Sequence, residues 1–141
     1  MKRVLLASIV AMAVAPTLAN ADQIRLLDET DFAWETTPEG VAFASLTGDR
    51  FTESYQALVK LTAGTVSPPH VKSANMVGVM LQGEMTHYAA DENPERARRM
   101  GVGSYYSIPK GMAHISACVS ETPCIAYLYQ DEAFDFVPVQ Q

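Results

Sequence analysis

Residues 103–118 read GSYYSIPKGMAHISAC, which predicts a strand, a tight turn at Pro109-Lys110-Gly111 and a returning strand that begins at His114. Proline fixes φ before the corner, and glycine adopts the positive φ that the corner requires. His114 is therefore held by a rigid turn rather than by a flexible loop. Because a functional site needs rigidly positioned groups, His114 is the first candidate site residue.

An earlier stretch, residues 64–76, reads GTVSPPHVKSANM and continues to Gly83. Pro68 and Pro69 remove two backbone donors and keep the chain extended immediately before His70. This arrangement is typical of a chain that joins a strand at the rim of a barrel, and also of a simple rigid loop. His70 is the second candidate site residue.

Together, the two stretches resemble the paired motifs of the cupin superfamily. In the second cupin motif, G-x5-P-x-G-x2-H-x3-N, Gly103, Pro109, Gly111 and His114 match at every spacing, and Cys118 stands where asparagine is usual. The segments look most like those of ChrR-like or uncharacterised bacterial cupins. The resemblance covers most of the chain after residue 21, and it implies a small β jelly roll.

The first cupin motif, G-x5-H-x-H-x3-E-x6-G, is only partly present. Gly64, His70 and Gly83 match, whereas Lys72 replaces the second histidine and Met76 replaces the glutamate. Because this fold carries enzymes, storage proteins and sensors alike, the resemblance implies an architecture but no particular reaction.

The rest of the chain has the pattern of an all-β protein. Period-2 alternation predicts a strand at 55–61. Short segments bounded by turn residues predict further strands at 41–46, 76–81, 84–89, 104–108, 114–119, 124–130 and 134–139. At most one helical turn is expected, between residues 93 and 100. Short strands at close spacing are typical of a sandwich or barrel, so we expect residues 22–141 to form a single cupin jelly-roll barrel domain.

Residues 1–21 have the features of a cleavable signal peptide. Lys2 and Arg3 precede an apolar run over residues 4–14 that is too short to span a bilayer, and Ala19-Asn20-Ala21 is a small-x-small cleavage site. Cleavage would leave 8 basic and 16 acidic residues, a formal charge of −8. We therefore expect an acidic protein in the periplasm or outside the cell, with neither nucleic acid nor, once mature, a membrane as its partner.

The chain contains three histidines, and all three are candidate metal ligands: His70, His87 and His114. His70 and His114 occupy positions where the resemblance implies ligands. A hairpin closed over Gln82-Gly83 would pair His87 with Gly78 and turn its ring into the barrel. Three converging imidazoles can hold a divalent transition metal, and the sequence does not distinguish among Fe, Mn, Zn, Ni and Cu.

Two substitutions in the first motif oppose a metal. An inward ammonium at Lys72 would repel a divalent cation by several kcal/mol, and the Met76 thioether is a poor ligand for hard metals. Lys72 either reaches the rim of the barrel or itself binds an anionic ligand, with Met76 in the wall. Tyr127 and Tyr129 share one face of the strand predicted over 124–130, where they either line the pocket or pack in the core.

A disulfide is expected between Cys118 and Cys124, the two cysteines of the chain. An exported protein lies in an oxidising compartment, and residues 119–123 form a five-residue connection. That length places the two cysteines opposite each other across the end of a hairpin. The alternative is two separately buried thiols.

Three functions remain open from the sequence. The first is a metal-dependent enzyme, of oxygenase or lyase type, that acts on a small organic acid or carbonyl compound. The second is a non-catalytic module that binds or senses a small anion through Lys72, and the third is a scaffold that has lost the site. The resemblance also implies pairing as a homodimer, although the sequence itself indicates no interface.

Overall fold

The computed structural model describes residues 24–139, so the predicted signal peptide at 1–21 lies outside the described residues. Eleven strands form within this range: β1 Trp34–Thr36, β2 Val41–Thr47, β3 Tyr55–Leu61, β4 His70–Val71, β5 Met76–Gln82, β6 Met85–Ala89, β7 Arg99–Met100, β8 Tyr105–Ile108, β9 His114–Cys118, β10 Cys124–Gln130 and β11 Val137–Pro138. Two short 3₁₀ turns, Glu29–Asp31 and Pro94–Arg96, are the helical elements of these residues. The described residues contain no helix that is long and apolar enough to cross a membrane.

The strands form two antiparallel sheets, which confirms the all-β prediction. The six-stranded sheet has the order β1-β2-β3-β10-β5-β8, and the five-stranded sheet has the order β11-β4-β9-β6-β7. Each sheet mixes strands from both halves of the sequence. In the five-stranded sheet, the pairing of β4 with β9 brings His70 next to His114.

Alternation along the strands builds the core between the sheets. In β10, Cys124, Ala126, Leu128 and Gln130 are all buried, whereas the residues between them are not. Successive side chains of a strand point to opposite faces, so this pattern assigns one face of β10 to the interior. Phe43 of β2 belongs to the same hydrophobic core cluster as Ala126 and Leu128 of β10.

The predicted hairpin between residues 76–81 and 84–89 is wrong. The strands β5 and β6 have nearly the predicted bounds, but β5 belongs to the six-stranded sheet and β6 to the five-stranded sheet. Gly83, with φ of 74°, turns the chain from one sheet to the other. A side chain there would also meet Ser120 Oγ at 2.8 Å. Glycine is therefore required at this corner both for its φ and for the lack of space.

The disulfide between Cys118 and Cys124 is confirmed, with a Cα–Cα distance of 5.7 Å. It does not close a hairpin, however, because Cys118 ends β9 in the five-stranded sheet and Cys124 begins β10 in the six-stranded sheet. The bridge therefore ties the two sheets together at one end of the sandwich.

The C-terminal segment also departs from the prediction. A strand was expected over 134–139, but only Val137–Pro138 pairs, with β4. The residues before it run across the end of the barrel, where the Phe134 amide donates to the Arg50 carbonyl at 2.6 Å. We call residues 131–139 the C-terminal strap.

Candidate functional site

A cavity of about 70 Å³ lies between the two sheets, beneath the C-terminal strap. Its wall is mainly apolar and includes Met76, as expected from the sequence. The polar residues of the wall are Thr37, Glu39, Tyr55, Ser67, His70, Lys72, His87, Tyr106 and Ser116. A mostly apolar cavity with a few polar groups facing one another is the usual form of a small-molecule site.

The three histidines lie in the five-stranded sheet, all on its inner face. His70 pairs directly with His114 between β4 and β9, and their ring centroids are 4.2 Å apart. His87 pairs with Ser116, two residues further along β9, and its ring centroid is 6.5 Å from that of His114. His87 thus faces inward because of its pairing with β9, and not because of the predicted pairing with Gly78.

In His70 and His114, hydrogen bonds determine which ring nitrogen carries the proton. Nδ1 of His70 lies 2.9 Å from the Pro68 carbonyl, and Nδ1 of His114 lies 3.0 Å from the Met112 carbonyl. A carbonyl can only accept, so each Nδ1 donates, and in the neutral ring Nε2 keeps its lone pair. Nε2 of His114 is buried without a hydrogen-bond partner among the described residues.

The His87 ring has the same unusual feature. Its Nδ1 lies 2.8 Å from the Ser116 hydroxyl, whereas its Nε2 is buried and unpaired within the described part of the chain. Buried polar atoms are nearly always paired, so two orphaned Nε2 atoms in one site call for a ligand or a water between them.

Burial keeps the histidines neutral at pH 7. It lowers the pKa of His70 to about 4 and that of His87 to about 3, and the neighbouring imidazoles add to both shifts. The pKa of His114 is lowered as well, again mainly by burial. Neutral imidazoles with free lone pairs can accept a hydrogen bond or coordinate a metal.

Tyr106 fills the space beside Gly78, the residue that the predicted hairpin had paired with His87. A Cβ at Gly78 would collide with the Tyr106 phenol and would approach the Tyr127 carbonyl to 2.6 Å. The Tyr106 ring packs on His87 at a centroid distance of 4.4 Å. The sequence does contain a signal for this residue, because Tyr106 shares the inward period-2 face of β8 with the buried Ile108.

Lys72 lies in the cavity wall, and it is buried rather than exposed at a rim. Only 8% of its surface is accessible. Its Nζ donates to the Asp135 carbonyl of the strap and lies 4.0 Å from the centroid of the Phe134 ring. Burial lowers the pKa of Lys72 to about 8, although the charges of Asp135 and Glu39 partly oppose this shift.

The expectation that Tyr127 or Tyr129 lines the pocket is not met. Ala126 and Leu128, which alternate with them on β10, line the cavity, so the two tyrosines point to the outer face of the sheet. The tyrosines of the wall are Tyr55 and Tyr106 instead.

The histidines suit a metal in donor type, but the spacing of His87 and His114 does not fit a tetrahedral site. Two imidazoles bound to one tetrahedral cation at about 2.1 Å have ring centroids about 5 Å apart. The His87–His114 separation of 6.5 Å is longer than this. Accordingly, residues 24–139 contain no group of three His, Cys, Asp or Glu side chains arranged to hold a metal ion.

The strap covers the histidine pair from one side. The Phe136 ring stacks on the His70 ring at a centroid distance of 4.2 Å and an interplanar angle of 19°. The Val139 amide donates to the Pro69 carbonyl at 3.0 Å, which fixes the end of the strap against the segment before His70. The strap therefore contributes both an aromatic lid and the acceptor for Lys72.

The family model of DUF4437, a domain of unknown function, matches residues 40–141. The chain belongs to this family. The match includes His70, Lys72, His87 and His114, whereas the wall residues Thr37 and Glu39 lie before it. No curated protein matches the chain.

Solved structures show that this DUF4437 chain shares its fold with cupins. The polyketide cyclase RemF from Streptomyces resistomycificus is 18% identical, with a TM-score of 0.66 over 84% of this chain and 87% of the other. An RmlC-like cupin from Shewanella frigidimarina is 14% identical, with a TM-score of 0.62 over 80% of this chain and 95% of the other.

The predicted similarity to ChrR is also confirmed at the level of the fold. The complex of Rhodobacter sphaeroides SigE with the anti-sigma ChrR matches at 22% identity and a TM-score of 0.58. The match covers 74% of this chain and 51% of the other.

Proposed function

We propose that the barrel cavity binds a small organic acid, with the Lys72 ammonium as its counter-ion. The observation that carries this proposal is the burial of Lys72 in the cavity wall without an ion-pair partner among residues 24–139. A buried charge without a partner is costly, and an anionic ligand would supply that partner.

The other polar groups of the site restrict the chemical class of the ligand. Nε2 of His70, which lines the cavity, and the buried Nε2 of His114 carry lone pairs because each Nδ1 donates to a carbonyl, so they favour a ligand with a hydrogen-bond donor beside its acidic group. A cavity of about 70 Å³ holds roughly five water-sized atoms. A hydroxy acid of two or three carbons meets both conditions, and the flat rings of Phe134 and Phe136 would shield it from water.

A metal centre on His70, His87 and His114 is the second candidate. It is favoured by the orphaned Nε2 atoms and by the Nδ1 bonds to carbonyls, which resemble the outer-shell bonds of metal-ligating histidines. A bound metal would supply a Lewis acid to an oxygenase or lyase reaction on the same class of acid or carbonyl compound. It ranks second because His87 would have to shift toward His114 to share a tetrahedral cation with it.

The two candidates differ in which side chain is essential. Thermal unfolding should be followed with glycolate, lactate and oxalate as probes, on the wild-type chain, Lys72→Met and Lys60→Met. Lys60 is the matched control because its Nζ lies 4.0 Å from the Trp34 ring centroid, as far as Lys72 lies from Phe134, but on the outer face of the sheet. We expect an acid at about 100 times its Kd to stabilise the wild type and Lys60→Met by about 3 kcal/mol, and to leave Lys72→Met unchanged.

Metal analysis and a chelator complete the comparison. If the acid-binding function holds, EDTA leaves the acid-induced shift intact, and Lys72→Met abolishes it. Two results together would overturn the first candidate in favour of the second. The wild type would copurify with one equivalent of metal that His114→Ala loses, and Lys72→Met would still bind the acid. Binding by Lys72→Met in the absence of any metal would overturn both.

A further inference from the structure

One charged side chain of each sign lines the cavity between the sheets. Among the described residues of its wall, Lys72 is the only lysine or arginine and Glu39 is the only aspartate or glutamate. The wall histidines are neutral at pH 7, because burial lowers the pKa of His70 and of His87. Lys72 is the counter-ion of the proposed acid, whereas Glu39 has no part in binding it.

A tight turn between β1 and β2 holds Glu39 in the wall. The Thr37 amide donates to the Val41 carbonyl at 2.8 Å, and the Gly40 amide donates to the Thr37 carbonyl at 3.0 Å. Pro38 has a fixed φ, and Gly40 adopts a φ of 83°, which favours glycine. The Glu39 carboxylate is therefore carried by a rigid corner of the barrel.

Glu39 has no charged partner of its own among residues 24–139, in which the two ion pairs join other residues. Its charge nevertheless acts on Lys72. Burial lowers the pKa of Lys72 to about 8, and the charges of Asp135 and Glu39 oppose that shift. The ammonium and the carboxylate of the wall are thus near each other without forming an ion pair, so a ligand that carries both charges can lie between them.

The same turn carries a second polar group without a partner. Thr37 also lines the cavity, and its Oγ1 is buried without a hydrogen-bond partner within the described part of the chain. Buried polar atoms are nearly always paired, so this hydroxyl also calls for a ligand. A hydroxyl and a carboxylate on one turn both accept hydrogen bonds, and together they favour a donor that is positively charged.

We propose that the preferred ligand of the cavity is a small amino acid in its zwitterionic form, with its carboxylate on Lys72 and its ammonium on Glu39 and Thr37. This ligand class rests on the proposed acid-binding function and restricts it. An ammonium supplies the same hydrogen-bond donor as a hydroxyl, and it also pairs with the second charge of the wall. A second carboxylate would instead meet the like charge of Glu39, so the cavity should reject dianions.

Three acids of two carbons separate the effect of charge from that of size. At pH 7, glycine, glycolate and oxalate carry an ammonium, a hydroxyl and a second carboxylate, respectively, beside the first carboxylate. Titration calorimetry on the full chain measures the Kd of each. Glycine should bind about tenfold more tightly than glycolate, which is the usual contribution of one hydrogen bond between charged groups. Oxalate should bind about tenfold more weakly than glycolate.

Glu39→Gln tests the role of the carboxylate, and Glu121→Gln is its matched control. Glu121 lies in an exposed bend and does not line the cavity, so its substitution removes the same charge elsewhere. Glu39→Gln should weaken glycine binding, strengthen oxalate binding and leave glycolate binding nearly unchanged. A general loss of structure would weaken all three. Glu121→Gln should leave every Kd as in the wild type.

The outcomes distinguish the ligand class from the acid-binding function. If glycolate binds the wild type as tightly as glycine, or if the preference for glycine survives Glu39→Gln, the zwitterion is overturned while acid binding stands. An equal effect of Glu121→Gln would also overturn it, because the selectivity would then follow from net charge. If none of the three acids binds the wild type, the acid-binding function itself fails, and the zwitterion fails with it.

Discussion

Gly78 is a residue whose lack of a side chain positions the site. Tyr106 packs over it and then against His87, so the glycine leaves room for the phenol that braces the imidazole. We predict that Gly78→Ala destabilises the protein by about 1–3 kcal/mol, because the new methyl group collides with a buried ring and with the Tyr127 carbonyl. Urea denaturation measures the difference.

Gly101→Ala is the control for this substitution. A Cβ at Gly101 meets no atom within 4 Å, and its φ is not in the left-handed region. The free energy of unfolding should therefore change by less than about 0.5 kcal/mol. If Gly78→Ala were as harmless as Gly101→Ala, Tyr106 would have room to move, and it could not be the brace of His87.

Individual residues of the site were predictable where a motif or a strand face constrained them. The cupin motifs indicated His70 and His114, and the resemblance also implied an inward Met76, which is buried. Alternation also showed that Tyr127 and Tyr129 share a face, but it could not show which face is inside. That choice depends on the partner strands, and in β10 the inner positions belong to the smaller Ala126 and Leu128.

At the level of elements, strand positions were easier to predict than strand partners. A glycine turn looks the same in sequence whether it returns the chain to the same sheet or carries it across to the other sheet. Gly83 does the latter, and so does the loop between Cys118 and Cys124. His87 nevertheless faces inward, because its pairing with Ser116 on β9 gives it the same parity as the predicted hairpin.

The disulfide is the element that should matter most for holding the sheets together at this corner. The cross-link closes a loop of six residues, so we predict that its loss lowers the free energy of unfolding by about 2 kcal/mol. Urea denaturation of the Cys118→Ser, Cys124→Ser double variant tests this value. Dithiothreitol should destabilise the wild type by a similar amount and leave the double variant unchanged. Two reactive thiols in the denatured, unreduced wild type would show that the bridge does not form.

For the molecule as a whole, the fold class followed from sequence alone, whereas the cavity did not. Short alternating strands and two cupin motifs predict a jelly roll, and the two antiparallel sheets agree with it. The cavity also depends on the C-terminal strap, which crosses the barrel end mostly without strand pairing and brings Phe134, Phe136 and the Asp135 carbonyl to Lys72. Such a crossing has no periodic pattern in the sequence.

Export of the whole molecule is predicted by two features. Residues 1–21 have the charge, apolar run and cleavage site of a signal peptide, and the Cys118–Cys124 bridge requires an oxidising compartment to persist. We therefore predict that the exported protein begins at Asp22 and contains the disulfide. Intact mass and N-terminal sequencing of the protein from the cell exterior or periplasm measure both. Recovery of the chain from the cytoplasm with Met1 intact and both cysteines reduced would contradict the prediction.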